Sequence, residues 1–351
     1  MNLDNYFKRF PKALQNSEKF LYCCIKLSKI IQKRSKPKRD ESSSYLDFII
    51  KSTDIKANGL LRDMQLLLCE MLIFIDKVCK KHDLNYCLGY GTLLGAVRHK
   101  GFIPWDDDVD LIMMRDDYKK LIEVLPDEIN KIEYLKDNFA LTLAKNLNEN
   151  VFEDMTHIYT PTYVNYFYSG NLDYRGPFLQ IACLNPFAKI DIFPFDYIKD
   201  DSIEDYNKYY LTQKYIFENS YKKSNFVYEN EFNSIAEKLG ISSDETNYIG
   251  EGIDATRWED IGAFKKEIIY PIKEITFENY LFMCPNNINE MLKLWYGESY
   301  MDLPSSIDVP GFIEYNKFLF SNDEEKIKKL FKNALRELKL INETFDDMKI
   351  P

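Results

Sequence analysis

One stretch constrains this chain more than any other. Asp106-Asp107-Asp108-Val109-Asp110 runs straight into the apolar Leu111-Ile112-Met113-Met114, which predicts a strand over about 108–114. Side chains alternate along a strand, so Asp108 and Asp110 share one face while Val109 and Leu111 turn to the core. Two carboxylates one strand repeat apart repel each other unless a cation sits between them. Oxygen clusters of this kind suit Mg2+ or Mn2+, and such an ion can bridge phosphate oxygens and neutralise charge on a leaving group. A solvated acidic turn is the plain alternative, and the direct passage into an apolar strand weighs against it. Asp106, Asp108 and Asp110 also fit the opening of an EF-hand. That loop then requires a glycine and a closing glutamate where this chain has Leu111 and Asp117, so it is rejected.

Two further features give the acidic strand a context. Upstream, Gly91-Thr92 opens Gly91-Thr92-Leu93-Leu94-Gly95-Ala96-Val97-Arg98, read as a tight strand-to-helix turn made by the glycine. Its amides and hydroxyl could hold phosphate oxygens at a helix N-terminus. Downstream, Asp191 stands among apolar residues in Lys189-Ile190-Asp191-Ile192-Phe193, a short strand expected to be closed by Pro194. A strand aspartate of this kind is costly to bury unpaired; completing a metal cage, or accepting a proton from an attacking hydroxyl, would offset that cost. The expected metal ligands are Asp106, Asp108, Asp110 and Asp191, with Asp108, Asp110 and Asp191 catalytic. Arg98, His99 and Lys100 form a basic counterpart suited to phosphate, with Arg98 the first candidate for a substrate contact, then Lys100, then His99.

The rest of the chain bounds these readings. With 351 residues and 45% hydrophobic composition it can bury a substantial core. A net charge of −10 argues against bulk nucleic-acid binding, whose usual footprint is a basic field. Seven cysteines at irregular spacing, with no C-x-x-C pair, indicate neither a zinc site nor a disulfide framework, and a reducing, cytoplasmic setting is expected. The apolar run Phe20 to Ile31 contains Lys26 and Lys29 and is too short to span a bilayer. The basic cluster after it (Lys33, Arg34, Lys36, Lys38, Arg39) could bring this N-terminal helix to anionic lipid at the inner face of a membrane, although a solvated linker is the preferred reading. Three zones follow: a helical extension and linker over 1–55, a catalytic core over 56–200, and a mostly helical region over 201–351 packing on that core. Leu60, Met64, Leu67, Leu68, Met71, Ile75 and Val78 predict a helix from about Gly59 to Lys81. Tyr86 to Tyr90 reads as a strand, Asp117 to Leu125 as a helix capped by Asp116, and Ser169-Gly170-Asn171 as a hairpin tip. Asn287 with Glu290 predicts a capped helix ending at Gly297, and Ile327 through Ile341 marks a last amphipathic helix.

Taken whole, Tyr86 to Met114 (YCLGYGTLLGAVRHKGFIPWDDDVDLIMM) resembles the signature of the LicD family. Ile190-Asp191-Ile192-Phe193-Pro194-Phe195-Asp196 resembles the family's second block. Pro271-Ile272-Lys273, Trp295-Tyr296-Gly297 and Tyr300-Met301-Asp302-Leu303-Pro304 are similar to its C-terminal elements. The likeness covers roughly residues 57–305. It implies an α+β fold: a nucleotidyltransferase-like small mixed sheet flanked by helices, with helical N- and C-terminal extensions. It also implies metal-dependent transfer of phosphocholine or a related phospho-alcohol. The donor would be CDP-choline or another CDP-alcohol, and the acceptor a sugar hydroxyl of a cell-surface glycan such as teichoic acid, lipopolysaccharide or capsule. By position the resemblance makes Asp108 and Asp110 the metal pair, Asp191 the third carboxylate and Gly91-Thr92 the phosphate turn. Where the family has basic residues after its Tyr-Gly element, this chain has Ser305-Ser306-Ile307-Asp308-Val309-Pro310, a departure that bears on the head group or acceptor. Two other readings remain: a nucleotidyltransferase releasing pyrophosphate, and an inactive glycan-binding protein of the same fold. The aromatic side chains Tyr166, Phe167, Tyr168, Tyr174 and Trp258 are too ordinary in so aromatic a chain to be assigned as a choline cage.

Overall fold

The computed structural model describes residues 56–142, 178–221, 228–255, 261–303 and 311–345. The N-terminal basic helix and linker, the hairpin at 169–171, the aromatic candidates above and the segment after Leu303 lie outside these residues.

The first described element is helix α1 (Gly59–Lys81), with the bounds its periodicity predicts. Its expected apolar face is buried, but so are Gln65, Glu70, Ile73, Phe74 and Asp76. Strand β1 (Cys87–Leu88) is shorter than expected, because helix α2 (Tyr90–His99) already begins at Tyr90. The residue that takes the positive φ of the turn is Tyr90, at 38°, and Gly91 does not. Strand β2 (Val109–Met114) leads directly into helix α3 (Arg115–Asn130). Asp116 lies inside α3 rather than capping it, the cap position being Met114, and the helix carries Pro126. Helix α4 (Glu133–Asn138), β3 (Phe139–Thr142) and β4 (Leu179–Leu184) follow.

The central strand is β5 (Phe187–Ile198), which continues through Pro194 where the sequence suggested a stop. The reason is register. On the edge away from β2, β4 covers residues 187–192 and a later strand takes over at Phe195, so Pro194's missing N–H faces the gap between the two. Its carbonyl, on the same edge, accepts from Gly252 N at 2.8 Å. A proline is tolerated in a strand only where no ladder donor is needed.

Beyond residue 200 come α5 (Ile203–Tyr221) and α6 (Tyr228–Leu239), then β6 (Ile241–Ser242), β7 (Tyr248–Glu251), β8 (Phe264–Lys265), β9 (Lys273–Phe277) and β10 (Tyr280–Cys284). Helices α7 (Ile288–Tyr296), α8 (Gly311–Leu319) and α9 (Glu324–Thr344) are the last described elements. Besides its helices, which hold most of the described residues here, this half carries five strands that the sequence reading did not name. All five are two to five residues long, too short to carry a readable alternation. Asn287 caps α7 by accepting from Glu290 N, as its spacing predicts.

The fold is α+β. One mixed sheet runs β1-β2-β5-β4-β3, with β6 and β7 added to the far half of β5 and β8 beyond β7; β9 and β10 form a separate hairpin. Among the described residues only β2 and β5 pair in parallel, and they place Asp110 opposite Asp191. Helix α1 packs against both β5 and α9, and most of its residues are buried. Among the described residues no helix is long and apolar enough to cross a membrane.

Candidate functional site

The site grows from the parallel β2–β5 pair. Asp110 and Asp191 are register partners, and Asp108 stands one strand repeat before Asp110. One carboxylate oxygen from each of the three lies within 4.8 Å of the others. Strand alternation brings Asp108 to Asp110, and tertiary pairing alone brings Asp191 to both.

The N-terminus of α2 closes over this cluster. Thr92 Oγ1 accepts a hydrogen bond from Asp110 N at 2.9 Å, and Gly89 N donates to Asp110 O at 2.9 Å. The turn and the acidic strand are therefore bonded directly. A Cβ at Gly91 would sit 3.0 Å from Asp106 Oδ2 and 3.9 Å from Asp110 Oδ2, so this glycine serves close approach to the carboxylates. The loop between them is clamped from two sides. Gln65 Nε2 donates to the carbonyls of Asp106 (2.9 Å) and Ile103 (3.2 Å). Glu278, held by Arg62 at 2.6 Å, accepts from Phe102 N at 3.2 Å.

Charge accumulates here. Burial, with Asp108, Asp110 and Asp107 nearby, pushes the Asp106 carboxyl well above the usual range. Burial likewise raises Asp107 to about 6, although Phe312 N donates to its Oδ2 at 2.7 Å. Against these carboxylates stands Lys189, buried and ion-paired with Asp191. Burial disfavours its ammonium, but Asp191, Asp108 and Asp110 outweigh that and hold its pKa above the ordinary value. Gln180 Nε2 donates to the other Asp191 oxygen at 2.9 Å. Sequence reading passed over Lys189 and Gln180. The signal for Lys189 was present: the alternation that pairs Asp108 with Asp110 also sets Lys189 beside Asp191. Gln180 had no such signal, since only the β4–β5 register places it opposite Asp191.

The basic triplet lies elsewhere on α2. Arg98 is seven residues from Gly91, about 10 Å along a helix axis. Its Nη1 donates to the carbonyls of Tyr300 (3.2 Å) and Asp302 (3.0 Å). His99 is pulled down to about 4 by burial and by Arg98. Lys100 is exposed and ends α2 in a left-handed conformation.

Three carboxylates, hard oxygen donors on β5, on β2 and on the residue that leads into β2, under a glycine that leaves room for them, fit a divalent cation of the Mg2+ or Mn2+ kind. Residues 83–199, from the loop before β1 to the end of β5, match the family described as LicD/FKTN/FKRP, nucleotidyltransferase domain. The chain is 28% identical over 258 residues to the lipopolysaccharide cholinephosphotransferase LicD of Haemophilus influenzae, covering 71% of this chain and 94% of that protein. An uncharacterized protein of Rickettsia typhi is 26% identical over 220 residues, 57% of this chain and 68% of its own length. All three clustered aspartates, Lys189 and the Gly91-Thr92 turn fall inside the family match.

Proposed function

We propose that this chain is a metal-dependent phosphotransferase. In this reading it moves phosphocholine or a related phospho-alcohol from a CDP-linked donor to a sugar hydroxyl of a cell-surface glycan, acting in the cytoplasm. The observation that carries the reading is the convergence of Asp108, Asp110 and Asp191 within 4.8 Å, in a domain shared with a protein named for cholinephosphate transfer to lipopolysaccharide.

Asp108, Asp110 and Asp191 would hold Mg2+ or Mn2+, with Asp106 beside them. When bound, the ion supplies charge neutralisation for the diphosphate and the departing CMP. The amides of Gly91 and Thr92, at the positive end of α2, bind phosphate oxygens. Asp191 receives the proton of the attacking hydroxyl, which adds in line to the phosphorus bearing the alcohol. Arg98, His99 and Lys100 are proposed contacts for the remoter parts of the substrates. Phosphoryl transfer asks little covalent chemistry of a protein, so positioning and electrostatics carry most of the acceleration.

The test is purified protein with Mn2+, CDP-choline and lipopolysaccharide or teichoic acid. CMP release with labelled glycan is expected, and Asp110→Asn should lower turnover by about a thousandfold or more while the fold persists. Release of pyrophosphate would replace this reading with nucleotidyl transfer. Undiminished transfer by Asp110→Asn would remove the carboxylates from the mechanism, and binding of neither Mn2+ nor CDP-alcohol would leave an inactive glycan-binding protein.

A further inference from the structure

We propose that Lys189 is a built-in counter-ion of the carboxylate cage, one that gives up Asp191 when a divalent cation binds and turns to the donor's phosphate. The inference rests on the metal-dependent reading above and adds a residue with two successive partners.

Lys189 is an unusual residue for its position. It lies in the central strand with only 6% of its surface exposed, where a lysine is almost never found unless paired. Its ammonium meets Asp191 on one side, and the Phe312 ring lies 5.0 Å from it on another. Asp108 and Asp110 act on the same charge, as does Asp107 of the acidic run. An ammonium placed on the third carboxylate therefore competes with any cation that all three aspartates would share. Both cannot hold Asp191 on equal terms, since like charges in a partly desolvated site repel strongly.

Two consequences follow from that competition. Without metal, Lys189 keeps the buried aspartates from being left with no counter-charge, a state that costs a folded protein dearly. With metal, the displaced ammonium remains on a stem anchored two residues from Asp191, within reach of whatever the cage holds. The compact point charge of a lysine is a standard partner for phosphate. A nucleoside monophosphate or diphosphate brings that phosphate to the same place. The exchange keeps the local charge balance similar in both states.

Calorimetry on the full chain, stripped with EDTA, tests this with Mn2+ alone and then with CMP at saturating Mn2+. Lys189→Met should bind Mn2+ about tenfold more tightly than wild type, within the ordinary range of coupling between two ligands, and CMP about tenfold more weakly. Equal or weaker Mn2+ binding by the variant would mean that Lys189 does not compete with the metal. Tighter Mn2+ binding with unchanged CMP affinity would overturn the hand-over to phosphate. A wild type that binds no Mn2+ at all would instead sink the metal-dependent reading itself. Should Lys189→Met fail to fold, acetic anhydride labelling of the wild type, read by peptide mass, decides. Lys189 should be protected in the stripped protein, labelled with Mn2+, and protected again with Mn2+ and CMP; labelling that does not change across the three states refutes the exchange.

Discussion

Thr92 carries more than one duty at the residue scale. Its hydroxyl accepts from the buried amide of Asp110, so it both opens α2 and fixes the backbone of the residue opposite Asp191. Thr92→Val keeps the shape and deletes the acceptor, stranding a buried N–H; a loss of about 1–3 kcal/mol in urea unfolding is expected. Thr92→Ser should restore most of it, and equal stability of the Val and Ser variants would show that the bond contributes nothing. The sequence made Gly91-Thr92 legible as a turn and Asp108-x-Asp110 as a shared face, because both are local patterns. It concealed which residue bears the positive φ. That proved to be Tyr90, whose ring is pinned by tertiary contacts, its hydroxyl to Glu251 and its face 4.4 Å from Trp295. A strained backbone at a non-glycine residue persists only when such surroundings over-determine it.

Between elements, α1 and α3 are clamped by a single acid. Glu128 accepts from Lys81 at 2.9 Å and Lys131 at 3.1 Å, and it meets His82 Nε2 at 2.9 Å. Burial opposes its charge, but hydrogen bonds from Lys81, His82 and Lys131 win and hold its carboxyl down to about 2. A group depressed on folding contributes stability that is full above its unfolded value, near 4.5, and is lost as pH falls through its folded value, near 2. Glu128→Gln should therefore cost on the order of 2 kcal/mol at neutral pH. The gap between wild type and variant, followed by urea denaturation, should close as pH falls from 4.5 to 2. A gap independent of pH would rule out this clamp. The two helices were legible from their 3.6-residue periodicity, whereas the extension of α3 to Asn130, where Glu128 lies, was not. Pro126 reads locally as a stop, and only packing carries the helix past it.

Across the whole molecule, one arginine joins distant parts of the chain. Arg115, at the start of α3, donates to both oxygens of Asp196 (2.8 and 2.7 Å) and both of Asp254 (2.8 and 2.7 Å). It also stacks 4.7 Å from the Phe232 ring. It thereby ties β2 and β5 to α6 and to the segment after β7. Arg115→Met leaves two buried carboxylates without their cation, and a loss of about 3–5 kcal/mol is expected. Replacing Asp196 and Asp254 by Asn in the same background should recover part of it; a single Met variant as stable as wild type would refute the tie. None of this was readable beforehand. The added strands past residue 200 are mostly short, and a salt bridge between positions 115 and 254 has no local signature. What the amino-acid order determined by itself was everything carried by short-range repeats: the long helices, the acidic strand face and the turn before it; the α+β class was what the resemblance to the LicD family implied. The tertiary structure alone decided that β2 and β5 run in parallel and in the register that sets Asp110 against Asp191, and that Lys189 shares their charge. Strand pairing is a contact between segments some eighty residues apart, set by how whole faces bury together, and periodicity within either segment does not encode it.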